Sequence, residues 1–578
     1  MAEVRVHTER VDDVPLLVYQ QCRMGIPQVL DEVIYLHGNR QGLSVGWLTT
    51  FWLAYILSEA DHRMSVVEEW ASGLQETCSV LAPGPVRVKD FTDDRLADVL
   101  RYLSEDVTWE AVEQQLGPRL IRIYNLEDRV IRLDSTTVVV YHDPEGHILF
   151  RHGHSKDHRP DLPQFKVMLG TLDPLGMPLA TLVVSGNEAD DGLYIPTVRR
   201  AQPVVGQGGR LYVGDAKMSA LETRAFLHTH GDYYLTPWAQ VGKVPDLLRA
   251  LLEPVWKGEQ PLERVDVPGD SQGGEGKPKV LALGYETTRR QEAQVEGRSV
   301  AWEERVGVVY SPSLARRARR GLAQRLEQAE QKIRALTPPR GRGRKQWEDG
   351  EDLQAAVRKI LKQHGVEGLL EVAYIREVEQ REVRAYRDRP ARTEERVRYV
   401  GQVNWNRQAI ATARRLLGWR LYVTNAPVSR LSLATAVEVY RDAPRIERDF
   451  SRLKGHPLGL RPLYVQREDH AKGMVRLLSL ALRVLTVTED VVREGLRVAG
   501  EALRGLYPGN PKRQTARPTT EGLLRAFHGI TLTVVKLPDQ TIRHITPLSS
   551  LQHRILGLLS LPASIYEDLA LPIASIPP

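Results

Sequence analysis

Hydrophobic residues recur at helical spacing through the first 125 residues. The segment 44–57 carries apolar side chains on successive turns, and segments 93–103 and 108–116 repeat the amphipathic pattern. A Pro- and Gly-rich loop at 81–85 separates two groups of these helices. The pattern predicts a helical N-terminal domain over residues 1–125. Binding of DNA ends is one role for such a domain, although most helical bundles do not bind DNA.

The pattern changes to β-branched, strand-like runs after residue 125. The residues Asp173 to Gly176 (DPLG) lie between two such runs and indicate a hairpin. Three antiparallel strands followed by helix, strand, helix and strand is the order expected of an RNase H-like α/β core. A return strand at 147–152 is also indicated. The core segments are strands 129–141, 166–172 and 178–184, helix 193–201, strand 210–215, helix 218–230 and strand 232–237.

The regular order of core strands and helices is interrupted from residue 241 to residue 425. This stretch contains a long charged helix at 311–336 with the run Arg316 to Arg320, a basic linker at 338–345 and short strand-like runs. We interpret 126–240 as the first part of the core, 241–425 as a β-rich insertion domain and 426–510 as the second part of the core. Residues 511–578 form a C-terminal region in which helical and strand-like patterns are mixed. The C-terminal part of the chain as a whole is expected to be mainly helical. The predicted fold class is therefore α/β.

The amino-acid composition excludes several classes of protein. The chain has 578 residues, of which 42% are hydrophobic and 26% charged, which excludes a disordered or fibrous chain. Two cysteines cannot form a disulfide framework or a four-cysteine zinc site. The N-terminus has no apolar signal-peptide core, and the apolar stretch 46–57 is too short to span a membrane, so a cytoplasmic location is expected. The net charge of +6 permits a nucleic-acid partner without requiring one.

Three acidic residues are candidates for metal chemistry. Asp134 lies within an apolar strand, Asp215 ends a second apolar strand, and Glu447 lies on a predicted helix. Singly, each acid is more typical of a structural role. If two neighbouring strands and a helix brought them together, their mutual repulsion would call for cations. Carboxylate oxygens suit Mg²⁺ or Mn²⁺, and two such ions would clamp the oxygens of a phosphoryl displacement.

A set of motifs then gives a family resemblance. Residues 440–454 read YRDAPRIERDFSRLK, which resembles the Tyr-x2-Arg-x3-Glu-x6-Lys signature of the DDE transposases of bacterial insertion sequences. Other stretches agree in order with this family, and the resemblance spans roughly residues 134–482. These stretches are LDSTTV at 133–138, GHSKDHRPDLPQFKVMLG at 153–170, VSGNEAD at 184–190, YVGDAKMS at 212–219 and REDHAKGMVRLLSLAL at 467–482.

The resemblance implies a complete chemistry. It implies an RNase H-like core, with Asp134, Asp215 and Glu447 as catalytic residues that bind two Mg²⁺ or Mn²⁺ ions. Water would cleave double-stranded DNA at the transposon end, and the freed 3′-hydroxyl would attack target DNA. A homodimer would hold the DNA, next to the bacterial nucleoid. Two alternatives stay open: an impaired relative that only binds DNA, and a metal-dependent nuclease without strand transfer.

Several residues are candidates for contacts with DNA. Tyr440, Glu447 and Lys454 are seven residues apart, so a continuous helix would place them on one face. The signature expects Arg at position 443, where this chain has Ala443, so its neighbours become the candidates for that role. Lys156 and Arg159 belong to a basic cluster that is either a phosphate contact or a solvated loop. The predicted DNA-binding residues are Tyr440, Arg441, Arg445, Lys454, Lys156 and Arg159.

Overall fold

The computed structural model describes most of the chain. The described residues are 4–35, 41–266, 280–295, 297–339, 341, 346–384, 390–441, 444–463, 465–510 and 512–571. Within these ranges the protein is a mixed α/β structure built around one large mixed sheet.

The N-terminal region is mainly helical, as its apolar spacing predicts. It begins, however, with a strand that pairs with a strand near the other end of the chain, about which the local pattern carries no information. Its elements are β1 (Arg5–Arg10), α1 (Val14–Met24), α2 (Ile26–Val33), α3 (Val45–Glu59), α4 (Val67–Ser72), α5 (Gln75–Leu81), α6 (Asp93–Ser104) and α7 (Asp106–Tyr124).

The next region has the predicted order of strands and helices. Its first three strands form an antiparallel meander, with the predicted hairpin at residues 173–176. The prediction of a return strand at 147–152 is wrong, because this segment makes only one isolated bridge, from Arg151 to Gln164. The elements are β2 (Val130–Val139), β3 (Gln164–Asp173), β4 (Met177–Ser185), α8 (Tyr194–Val205), β5 (Leu211–Gly214), α9 (Leu221–Thr229) and β6 (Tyr233–Pro237).

Residues 241–425 contribute both to the large sheet and to a smaller helical layer. Leu326, Ile333 and Val357 belong to a separate apolar cluster that unites the long charged helix with its neighbours. The elements are α10 (Val244–Lys257), β7 (Glu263–Asp266), β8 (Val280–Val295), β9 (Arg298–Tyr310), α11 (Pro312–Leu336), α12 (Gly350–His364), β10 (Leu370–Val383), β11 (Arg392–Trp405), α13 (Arg407–Leu416) and β12 (Trp419–Thr424).

The last part of the chain is dominated by one long, deeply buried helix, α16, which packs on α6, α3 and β4. The helix approaches α6 so closely at Gly473 that a Cβ there would lie 2.1 Å from the Leu100 carbonyl oxygen. The elements are α14 (Leu433–Arg441), α15 (Pro444–Lys454), α16 (Glu468–Ala499), β13 (Leu503–Arg504), β14 (Gln514–Thr515), α17 (Thr520–Arg525), β15 (Thr531–Lys536), β16 (Thr541–Ile545), α18 (Ser550–Leu558) and α19 (Ser564–Glu567).

The large sheet has nine strands in the order β4-β3-β2-β5-β6-β12-β9-β8-β7. β2, β5 and β6 are parallel to one another, and β12 joins β6 in the antiparallel direction. The sheet therefore continues without a break from the first core segment into strands of residues 241–425. Within the described ranges, none of the helices combines the length and the apolar character needed to cross a membrane.

Candidate active site

Asp134, within β2, and Asp215, directly after β5, lie at neighbouring positions of two parallel strands. Leu133 pairs with Gly214 in the register of β2 and β5, so the next residue of each strand is one of the two aspartates. The sheet thus brings together two of the three predicted acids.

Asp134 is a carboxyl in an unfavourable environment. Its side chain is only 28% exposed. Burial raises the pKa of Asp134 to about 6, and the negative charges of Asp215 and Asp190 act in the same direction, while Lys156 and the backbone N–H of Ser135 oppose them. The Ser135 N–H donates to Asp134 Oδ1 at 2.7 Å. A positive charge placed among these carboxylates would relieve the repulsion.

Asp215 is held in place by groups from three elements. The hydroxyl of Tyr194, at the start of α8, donates to Asp215 Oδ1 at 2.6 Å. The backbone N–H of Lys217 donates to the same oxygen at 2.8 Å, where Asp215 caps a short 3₁₀ turn. The Thr236 hydroxyl on β6 donates to the Asp215 carbonyl oxygen at 2.6 Å. These contacts fix one carboxylate oxygen of Asp215.

A pair of lysines neutralises part of this acidic charge. Lys156 Nζ lies 3.8 Å from Asp134 Oδ1 and 3.6 Å from Asp190 Oδ2, and it donates to the Ser135 carbonyl oxygen at 2.6 Å. Lys166 Nζ, on the buried strand β3, lies 2.6 Å from Asp190 Oδ1. Burial acts to raise the pKa of Asp190, but the two lysines hold it below its ordinary value. Lys156 therefore lies beside Asp134 and Asp190.

Lys454 and Arg461 form a second cationic group beside β2. Lys454 Nζ lies 3.3 Å from Asp157 Oδ1, and Arg461 Nη1 lies 3.3 Å from Asp157 Oδ2. The Thr137 hydroxyl of β2 donates to the same carboxylate at 3.3 Å. Burial lowers the pKa of Lys454 against the attraction of Asp157, and nearby Arg461 and Lys156 lower it further. Both cationic groups are bound to internal acids, close to the strand that carries Asp134.

The signature residues lie on α14 and α15. Tyr440 packs against Tyr422, with the ring centroids 4.9 Å apart and the ring planes inclined at 60°. Burial raises the pKa of Tyr440 to about 12, with Tyr422 and Asp215 acting in the same direction, so the phenol is within electrostatic reach of Asp215. Arg132 on β2 donates to the Val439 carbonyl oxygen at 2.7 Å, which ties α14 to the strand of Asp134.

The other signature positions are placed differently. Arg441 Nη2 donates to the Leu281 carbonyl oxygen and to Ser311 Oγ, each at 2.7 Å, so its guanidinium connects α14 to β8 and α11. Glu447 is exposed on α15 and lines an open cleft together with Tyr440. Ala443 and the side chain of Arg445 lie outside the described residues, and so does the link at 442–443 on which a continuous helical face depends.

The donor set fits a divalent cation in part. Asp134 and Asp215 supply carboxylate oxygens at adjacent strand positions, and the raised pKa of Asp134 marks a place where a cation would stabilise both. Over the described ranges, however, the structure contains no group of three or more His, Cys, Asp or Glu side chains arranged to hold a metal ion. Glu447 is thus not gathered with the two aspartates.

One predicted basic residue has an acidic partner of its own, and three neighbours of the aspartates were not predicted. The exposed Arg159 bonds to Asp161, with Nη2 and Oδ2 2.7 Å apart. Sequence reasoning missed Asp190, Lys166 and Tyr194 as neighbours of the aspartates. A lysine within the otherwise apolar strand QFKVMLG was the available signal, because a buried lysine requires an acid partner.

Comparisons with known proteins agree with this geometry. No curated protein matched the chain. A family model described as the transposase DDE domain matches residues 125–484, a range that contains both aspartates, Glu447 and the whole nine-stranded sheet. Because this match covers more than half of the chain, the protein belongs to the family of DDE transposases, which act in DNA transposition and recombination.

Proposed function

We propose that this protein is a cut-and-paste DNA transposase with an RNase H-like core. In the proposed reaction it cleaves double-stranded DNA at transposon ends and joins the freed 3′-hydroxyl to target DNA. The observation that carries the proposal is the pairing of Leu133 with Gly214, which sets Asp134 and Asp215 side by side inside the matched family domain.

The catalytic and metal-binding residues of this proposal are Asp134, Asp215 and Glu447. Asp134 would bind a cation only after it loses the proton that its raised pKa favours. Tyr194 holds one oxygen of Asp215, which leaves the other oxygen to face a ligand. Glu447 is assigned by its place in the signature, and its exposed carboxylate is open to solvent in the cleft.

Divalent metal, proposed as two Mg²⁺ or Mn²⁺ ions, would supply charge stabilisation for the attacking and leaving oxygens. Basic residues of the chain would orient the DNA. Lys156, Lys454 and Arg461 flank Asp134 and are held by Asp190 and Asp157, which are acids that a phosphate group can replace as partners. Tyr440, Arg441, Arg445 and Arg159 remain proposed DNA contacts.

The assembly belongs to the same proposal. Two protomers would hold two transposon ends and the target DNA, in the cytoplasm and on the nucleoid. We propose residues 1–125, 126–240, 241–425, 426–510 and 511–578 as the units of the chain, in which 241–425 interrupts the core.

The test is cleavage of DNA that carries the inverted repeats flanking the gene, with Mg²⁺ present. We expect Asp134→Asn, Asp215→Asn and Glu447→Gln each to lower cleavage at least about a thousandfold while DNA binding persists. The matched control is Asp246→Asn, which removes a carboxylate from the exposed side of α10 and should cleave like the unmodified protein. Normal cleavage by any of the three variants would refute that residue's assignment.

A second measurement separates transposition from simple nuclease activity. A duplex that already carries a free 3′-hydroxyl at the transposon end is incubated with a supercoiled plasmid and Mg²⁺. We expect covalent joining of the end to the plasmid. Cleavage without joined products would instead identify a nuclease of the same fold.

A further inference from the structure

The cleft that contains Glu447 has a second wall made by the first turns of α11. The cleft is open, has a volume of about 640 Å³ and runs between α11 on one side and α14 and α15 on the other. We call it the signature cleft. Its polar lining includes Arg316, Arg317, Arg320, Arg420, Tyr440 and Glu447.

Three arginines of α11, Arg316, Arg317 and Arg320, line this cleft. Arg316 and Arg317 are four and three residues before Arg320, so each neighbours Arg320 on the helix surface, and all three line the cleft. All three residues are exposed. Among the residues that the structure describes, no acidic side chain is paired with any of them. An exposed run of guanidinium groups without acidic partners favours a polyanion.

The neighbouring Arg319 shows that this arrangement is specific to one face. Arg319 is on the same helix but lines a different cleft, next to Trp405. Arg325 and Arg334, farther along α11, are also placed elsewhere. Arg325 donates to the His364 carbonyl oxygen at 3.4 Å, and Arg334 pairs with Glu330 at 2.6 Å. These three arginines provide a matched set of equal charge on the same helix.

Arg441 fixes the first turn of α11 against the signature. Ser311 caps α11 by accepting from the Leu314 N–H at 3.4 Å, and Arg441 donates to the same hydroxyl at 2.7 Å. Arg441 also donates to the Leu281 carbonyl oxygen of β8 at 2.7 Å. The end of α14 and the start of α11 are therefore joined through one side chain, and Arg316, Arg317 and Arg320 line the same cleft as Glu447.

We propose that Arg316, Arg317 and Arg320 bind the phosphate backbone of the DNA that enters the active site. This inference rests on the proposed function and extends it, because it assigns to α11 a share in holding the substrate. Contacts of arginine with phosphates are independent of sequence, and they depend steeply on salt because each one releases counterions.

The experiment measures the affinity of the full-length protein for a duplex of about 40 base pairs of arbitrary sequence, without divalent metal, from about 50 to 300 mM potassium chloride. For Arg316→Gln/Arg317→Gln/Arg320→Gln we expect the slope of log K against log salt to become shallower by about 2.7, or about 0.9 for each lost phosphate contact. The control Arg319→Gln/Arg325→Gln/Arg334→Gln removes the same charge and should change the slope by less than about 1.

The outcomes separate this proposal from the one on which it rests. If the unmodified protein binds no duplex DNA, both proposals fail. If it binds DNA and the first triple variant keeps the original slope, or the control loses as much, only the assignment to α11 is wrong. Arg317→Gln alone, with an expected change of about 0.9, provides the same test if the triple variant unfolds at a lower temperature.

Discussion

Replacing Asp134 by asparagine should stabilise the metal-free protein while it abolishes cleavage. Asparagine keeps the shape of the side chain and the oxygen that accepts from the Ser135 N–H at 2.7 Å. It removes the negative charge that burial, Asp215 and Asp190 make costly. A purely structural aspartate would behave in the opposite way, because its loss would weaken the fold.

The size of the effect follows from the pKa of Asp134. Each pKa unit corresponds to about 1.4 kcal/mol, so a rise from the ordinary 3.8 to about 6 corresponds to about 3 kcal/mol. The side chain is 28% exposed, and solvent screening and the lost attraction to Lys156 reduce this figure. We therefore expect a gain of about 1 to 3 kcal/mol in the free energy of unfolding at about pH 8.

The raised pKa of Asp134 also determines how the free energy of unfolding changes with pH. The native protein holds the Asp134 proton up to about pH 6, whereas the unfolded chain loses it near 3.8, so the free energy of unfolding falls as pH rises through this window. The free energy of unfolding of Asp134→Asn should not fall in this window, because asparagine does not titrate there. Its advantage should be absent near pH 4 and complete above pH 6. Thermal unfolding in EDTA at several pH values measures it, and equal destabilisation of the variant at all pH values would refute the reasoning.

Three further predictions concern stability, each measured as the midpoint of thermal unfolding. Burial raises the pKa of Asp13 to about 7, so stability should fall as pH rises from about 4 to about 7, and Asp13→Asn should raise the midpoint at about pH 8 but not at about pH 4; an equal shift at both would contradict the pKa. Gly473→Ala should cost about 1 to 3 kcal/mol, because its Cβ would lie 2.1 Å from the Leu100 carbonyl oxygen; a neutral result would show that α6 and α16 can separate. Glu489→Gln should cost about 3 to 5 kcal/mol, since buried Glu489 neutralises buried Arg452 as well as two other arginines; an unchanged midpoint would show that Glu521, the second partner of Arg452, and solvent are sufficient to compensate these charges.

Local patterns were sufficient for much of the fold. The β-branched run at 129–141 became β2, and the DPLG turn joined β3 to β4, because strand propensity and turn chemistry act over a few residues. The strand β1 was not indicated, since its partner β15 lies more than 500 residues away and the segment Arg5–Arg10 is mostly exposed and polar. The segment 147–152 has strand-like residues, but it meets β3 at a single bridge.

The candidate site also contains some residues that the sequence pattern predicted and some contacts that it did not. The two aspartates were predicted from their strand positions, and parallel pairing of β2 with β5 places them side by side. The partners of the basic residues were not predictable, because Lys156, Lys454 and Arg441 are bound by groups that are distant in the sequence or, for Lys156, placed by a loop. Their contacts depend on which elements pack against each other.

By itself, the sequence determined the family and the main secondary structure, because a signature and a propensity are properties of neighbouring residues. The tertiary structure alone decided which charges meet. It set Lys156 between Asp134 and Asp190, joined Arg441 to the cap of α11, and placed three arginines of that helix in the lining of the cleft that Glu447 also lines. Electrostatic interactions depend on distance in space and on burial, and neither quantity is written in the order of the residues.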